Sequence, residues 1–233
     1  MTTKIIRAML RMTAFGLIAL VGRYLPGKGS FLAILAIAGG FGVFWYVLST
    51  FLNKGVDTYE FSIKWLELGD SRIDWGLLID PLSLVMLGIV SFIALLIQVY
   101  SVGYMSGDKR IGWYFAAHAL FVAAMLMLVL GDNLVLLYLG WEGVGLCSYL
   151  LIGFWYENPD NGYAARKAFV VTRVGDTAMA IGLFLLFTQL GTLNIQDMLQ
   201  AAQQQWAMGS PLAIAAALLL LGGAVGKSAQ LPL

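Results

Sequence analysis

Four charged side chains stand where the sequence is otherwise apolar: Glu142, Arg173, Asp176 and Lys227. Glu142 falls inside the run Asn133 to Tyr156, which is long enough to cross a bilayer and offers no adjacent side-chain cation. A carboxylate at that depth costs several kcal/mol, so it needs a partner on another helix or a task involving protons. Arg173 and Asp176 are three residues apart and share one helix face. They form either a structural ion pair that fixes packing or a switchable pair that changes the potential at its neighbours. A buried lysine whose carboxylate partner can approach or withdraw becomes a proton-binding site of adjustable affinity. Lys227 has this character, and by depth and charge Glu142 is its expected partner, either as a proton couple or as a tether between two helices. Pro232 lacks the N–H that would bond back toward Ser228, so the last helix is expected to break beyond the lysine. His118, on Ala-Ala-His-Ala-Leu, is a relay group by its near-neutral titration or, as a lone histidine on an apolar helix, a packed and hydrogen-bonded one.

These groups need a membrane around them to be unusual. The chain has 233 residues, 60% hydrophobic and 12% charged, with a mean hydropathy of +0.83. A soluble domain of this size cannot hide that much apolar surface. A polytopic bundle can, because lipid is its solvent. Net charge is +1 and no basic patch appears, which gives no basis for nucleic-acid binding. One cysteine, Cys147, excludes an internal disulfide framework and a four-cysteine metal or iron–sulfur site; in its apolar run it reads as a packing residue. No metal site is expected.

Apolar runs of about 20 residues predict membrane helices over 31–52, 81–105, 112–130, 133–156, 164–190 and 211–233, with a further one near 5–25 that carries Arg7 and Arg11. The fold class is therefore all-α, a bundle of six or seven transmembrane helices. Residues 53–80 alternate in hydropathy around Tyr59 to Trp65 and Arg72 to Leu78, which hints at a hairpin outside the membrane. Residues 194–206 read as a polar surface helix. Lys109, Arg110, Arg166 and Lys167 fall on loops of one side, taken as cytoplasmic, which puts 53–80 and 191–210 outside. Residues 1–80 are expected to form an N-terminal section with that loop, and 81–233 a second module holding all the buried charges.

One phosphate-loop look-alike, Gly-Gly-Ala-Val-Gly-Lys-Ser at 222–228, fails on spacing, because Leu221 stands where the first glycine is needed. Its glycines read instead as places of close helix approach.

The stretch NLVLLYLGWEGVGLCSYLLIGF at 133–154 closely resembles the antiporter-like L subunits of proton-pumping NADH:quinone oxidoreductase, respiratory complex I. The resemblance continues through KAFVVTRVGD at 167–176, LGTLN at 190–194 and LGGAVGKSAQLPL at 221–233, and covers the chain from about residue 75. It implies a multi-pass subunit of a bacterial inner membrane that moves protons and holds no cofactor of its own. Flavin and iron–sulfur clusters are then expected in partner subunits. Its implied partners are other membrane-arm subunits, above all the adjacent antiporter-like one, together with lipid. In the family, residues matching Glu142 and Lys227 form a proton site, and those matching Arg173 and Asp176 tune it or signal to the neighbour. Members continue well past the position of Pro232 with a second inverted repeat, so this sequence is expected to correspond to the first half. A cation/proton antiporter subunit, a membrane subunit of an inorganic-carbon uptake or hydrogenase complex, and an inert anchor are the alternatives.

Overall fold

The computed structural model describes residues 26–55, 58–68 and 71–231. The expected helix near 5–25 and the break at Pro232 lie outside these residues. A short 3-10 turn over Pro26–Gly29 leads into α1 (Ser30–Lys54). Two strands follow, β1 (Tyr59–Leu68) and β2 (Ser71–Ile79), paired in a two-stranded sheet. Then come α2 (Pro81–Tyr104), α3 (Ile111–Leu130), α4 (Leu134–Ile152) and α5 (Pro159–Leu190). The short α6 (Ile195–Gln205) and α7 (Pro211–Lys227) complete the order.

Three helices start on the same chemistry, a capping side chain followed by proline at the first helical position. Asp80 accepts from the Ser83 N–H at 2.7 Å ahead of Pro81, Asn158 from Asp160 at 3.1 Å ahead of Pro159, and Ser210 from Ala213 at 3.2 Å ahead of Pro211. Proline suits this position because its missing N–H would have no intrahelical partner. The cap at Asn158 explains why α5 begins at Pro159 and not near 164 as hydropathy alone predicts: its first turn is polar but well capped.

Among the described residues, five helices are long and apolar enough to span a membrane, and Pro211–Lys227 is apolar but shorter, at 17 residues. The span expected over 211–233 thus ends at Lys227, with Ser228 as its cap and Ala229 in the left-handed region at φ 50°. The helix stops ahead of Pro232. Large apolar side chains point outward along the spans, with Leu82 72% and Phe184 70% exposed. Only lipid or protein makes that placement favourable. The chain is a multi-pass membrane protein.

The chain forms two compact units. One runs through Tyr59 and includes Leu78–Leu130. There α1, α2 and α3 bury Ile37, Leu87, Ala94, Val122 and Leu126 in a common core. The other joins Glu60–Leu77 of the hairpin to everything from Gly131 onward. Its core is Leu134, Met179, Leu183, Leu186, Leu190 and Ala216, covered by the apolar face of α6 through Ile195, Met198 and Ala202. Trp65 and Trp75 meet edge to face across the hairpin, 5.2 Å between ring centroids.

Candidate functional site: a charge cluster between α4, α5 and α7

The second unit brings Glu142, Arg173, Asp176 and Lys227 into one cluster. Helix α5 carries Arg173 and Asp176, and α7 lies against it along a seam of small residues. A Cβ added at Gly175 would come 2.9 Å from the Gly222 carbonyl and 3.0 Å from the Gly226 Cα; one added at Gly223 would come 2.8 Å from the Met179 Cβ. Only hydrogen atoms fit there. The Gly222–Ser228 run is this packing face, and its close approach delivers Lys227 to Asp176.

Helix α4 is fixed at its start by Asn133. Its Oδ1 accepts from the N–H groups of Val135 and Leu136 at 3.1 and 2.9 Å, and its Nδ2 donates to the Asp74 carbonyl on the hairpin at 2.9 Å. From there Tyr138, Trp141, Glu142 and Gly145 recur at spacings of three and four and share one face.

The pairing differs from the one that depth and charge suggest. Glu142 pairs with Arg173, not with Lys227. Arg173 Nη1 also stands 3.4 Å from Asp176 Oδ2, the three-residue pair expected from sequence. Lys227 Nζ is 4.0 Å from that same Asp176 Oδ2. The correction has a geometric cause: the long guanidinium reaches across to α4, while Lys227 ends α7 beside Asp176. Arg173 therefore bridges two carboxylates, and Asp176 is shared by two cations. Asp176 is 1% exposed; the other three side chains keep 19–28%. Lys227 Nζ makes no hydrogen bond among the described residues, so charge holds it without a directed bond.

Three aromatic groups line the cluster. The Trp141 indole N–H donates to Asp176 Oδ1 at 2.5 Å, and the Tyr138 hydroxyl donates to the Asp176 carbonyl at 3.4 Å. Arg173 lies over the Phe169 ring at 4.3 Å. Gly145 leaves the space the cations fill: a Cβ there would sit 2.8 Å from Lys227 Nζ and 3.1 Å from Arg173 Nη2. Trp141 and Gly145 escaped the reading of the sequence, although their spacing from Glu142 placed them on its face. Cys147, fully buried and free, is packed on the same helix.

His118 is not part of this cluster. It belongs to the other unit, where Gln98 Nε2 donates to its Nδ1 at 3.0 Å and the Tyr114 and Phe121 rings flank it. That is the packed, hydrogen-bonded environment.

A cavity of about 560 Å³ lies at the hairpin end of the cluster, with Tyr138, Leu183 and Phe187 on its walls and Asp132, Asn194 and Asp197 at its polar end. Burial, with Glu60 and Asp74 nearby, pushes the Asp132 carboxyl from 3.8 up to about 6, against the opposing bond from Asn133.

Two family models match: NADH-Ubiquinone oxidoreductase (complex I), chain 5 N-terminus, over residues 65–115, and NADH:quinone oxidoreductase/Mrp antiporter, TM, over 131–233. The second holds the whole charge cluster. The chain belongs to this family of antiporter-like membrane subunits. Among its relatives, NADH-quinone oxidoreductase subunit L of Escherichia coli strain K12 is 53% identical over 184 residues, which is 78% of this chain and 30% of that protein. F(420)H(2) dehydrogenase subunit L of Methanosarcina mazei is 41% identical over 239 residues, 94% of this chain and 35% of that protein. The chain thus spans about a third of the length of these relatives. The solved Mrp complex of a Dietzia species superposes with a TM-score of 0.77 at 26% identity, covering 97% of this chain and 24% of that one.

Proposed function

We propose that this chain acts in proton translocation as a membrane-arm subunit of a bacterial inner-membrane NADH:quinone oxidoreductase, with Lys227 as the protonatable group. The observation that carries the reading is the shared carboxylate. Asp176 faces two cations, and one of them, Arg173, has a second acid in Glu142. When Arg173 rests on Glu142, Asp176 is left to Lys227 and the ammonium keeps its proton. When Arg173 turns to Asp176, Lys227 loses its counter-charge and releases the proton, because an ammonium in an apolar site is held charged mainly by its neighbours. Glu142 and Lys227 are the proton-transfer residues of this reading, Arg173 and Asp176 the coupling pair.

On this reading electron transfer takes place in partner subunits that hold flavin and iron–sulfur clusters, while this chain moves protons in contact with an adjacent antiporter-like subunit and lipid. The identity to subunit L of Escherichia coli favours an NADH-linked complex. The likeness to the Mrp complex supports a second reading, a multisubunit cation/proton antiporter; mass spectrometry of what co-purifies in mild detergent separates the two.

Glu142→Gln removes the charge and keeps the shape. In membrane vesicles carrying the intact complex, it is expected to lower proton translocation per assembled complex by roughly ten-fold or more. Unchanged translocation would remove the mechanism.

A further inference from the structure

Asp176 can be shared between two cations only if it is kept from joining one of them. A carboxylate free to turn would present both oxygens to Arg173 in the bidentate arrangement that guanidinium favours, and Lys227 would lose its counter-charge permanently. Here the two oxygens are divided. Oδ1 accepts the Trp141 indole N–H at 2.5 Å, which leaves Oδ2 alone to face Arg173 at 3.4 Å and Lys227 at 4.0 Å. The same indole presents its ring to Lys227, with Nζ 5.5 Å from the ring centroid, inside the range in which an aromatic face attracts a cation.

We propose that Trp141 is a positioning residue for proton transfer: its N–H pins one oxygen of Asp176 so that the other stays divided between Arg173 and Lys227, and its ring holds the ammonium nearby. The proposal rests on the proton-translocation reading above. Trp141 contacts no proton in transit. It acts through Asp176, on an element separate from both cations: Trp141 lies on α4, Arg173 on α5 and Lys227 on α7. Trp141 also packs on the core beside Leu137 and Met179, but that packing makes no use of the N–H. An N–H donor aimed at a buried carboxylate is specific to indole among the large aromatics.

The test uses the full-length subunit in its intact complex, in inverted membrane vesicles, with proton translocation read by dye quenching and normalised to assembled complex. Trp141→Phe keeps an aromatic ring, a smaller one, and removes the donor; Trp141→His, smaller still, keeps a ring N–H. Trp141→Phe is expected to cut translocation roughly ten-fold, the scale of a lost hydrogen bond to a charged acceptor, and to shift the midpoint of the pH profile. Trp141→His is expected to recover most of the rate and the original midpoint. Wild-type behaviour of Trp141→Phe, an unshifted pH profile, or equal impairment in Trp141→His would each overturn the proposal. Failure of both variants to assemble would do so too, since it would give Trp141 a packing role. Glu142→Gln runs beside them as a control. If it translocates normally, the site reading itself has failed; if it is blocked while Trp141→Phe is indifferent, only the role of Trp141 falls.

Discussion

At the scale of single residues, the site depends on a missing side chain as much as on the charged ones. Gly145 is the position where α4 yields to the cations of α5 and α7. A methyl there meets Lys227 Nζ at 2.8 Å and Arg173 Nη2 at 3.1 Å, both of them ends of flexible side chains. Those ends can retreat, so Gly145→Ala is expected to assemble to near wild-type levels on a native gel. The retreat still moves both cations by several tenths of an ångström relative to Asp176, and a misplacement of about 1 Å can cost reacting groups roughly a hundred-fold in rate. Translocation per assembled complex should therefore fall at least about ten-fold, and normal translocation would show that the cation positions are not critical. The identity of all four charges was plain in the sequence, because a charge in an apolar run stands out. Their pairing was not. Depth along a helix puts both Glu142 and Lys227 within the apolar layer but says nothing of azimuth, and the bridge from Arg173 to Glu142 depends on which faces of α4 and α5 meet.

At the scale of elements, the hairpin fastens the ends of the helices that carry the site. Gly76 on β2 leaves room for the Asp132 carboxylate, onto which any Cβ at that position would fall. Asn133 bonds Asp74, and Asn194 Nδ2 donates to Glu60 Oε1 at 2.9 Å. The Leu134 N–H donates to the Leu193 carbonyl and the Ile195 N–H to the Asp132 carbonyl, both at 2.9 Å. The buried Asp132, pushed up to about 6, makes this junction sensitive to pH. The closed junction binds the proton more tightly than an opened one, so its advantage is complete below about pH 4 and is lost as pH rises through about 6. Amide exchange at Leu134 and Ile195, corrected for its intrinsic pH dependence, should accelerate over that window and level off above it. Asp132→Asn should flatten the profile. Exchange that slows with rising pH, or that ignores the Asn substitution, would contradict the assignment. The hairpin itself was legible from alternating hydropathy, but its role in tying Asn133 and Asn194 was not, since those contacts join residues about sixty and more than a hundred positions apart.

At the scale of the whole molecule, run length gave the number of helices closely and their ends poorly. Hydropathy falls off wherever a helix continues with polar residues, as α5 does between Pro159 and Arg166, and it continues wherever apolar residues leave a helix, as after Lys227. The topology that follows is nevertheless strict. The hairpin, the Asp132–Asn133 turn and Asn194 meet at one end of the second unit, so α4 and α5 between them cross and return. Arg166 with Lys167 sits in the first turns of α5, which assigns these two bases to the opposite end of that unit; the run of the sequence, with one further crossing in α2, expects Lys109 and Arg110 on the same side. A bias of lysine and arginine marks the cytoplasmic side. With Cys147 and any further cysteine of the full-length subunit replaced by serine, single cysteines at Ser62 on β1 and Ser106 after α2, both exposed, should report opposite sides. An impermeant maleimide applied to right-side-out spheroplasts should label Ser62→Cys at once and Ser106→Cys only after permeabilisation. The reverse pattern would invert the chain in the membrane. Labelling of both from one side would mean that α2 does not cross at all, and the crossing order built on it would have to be abandoned.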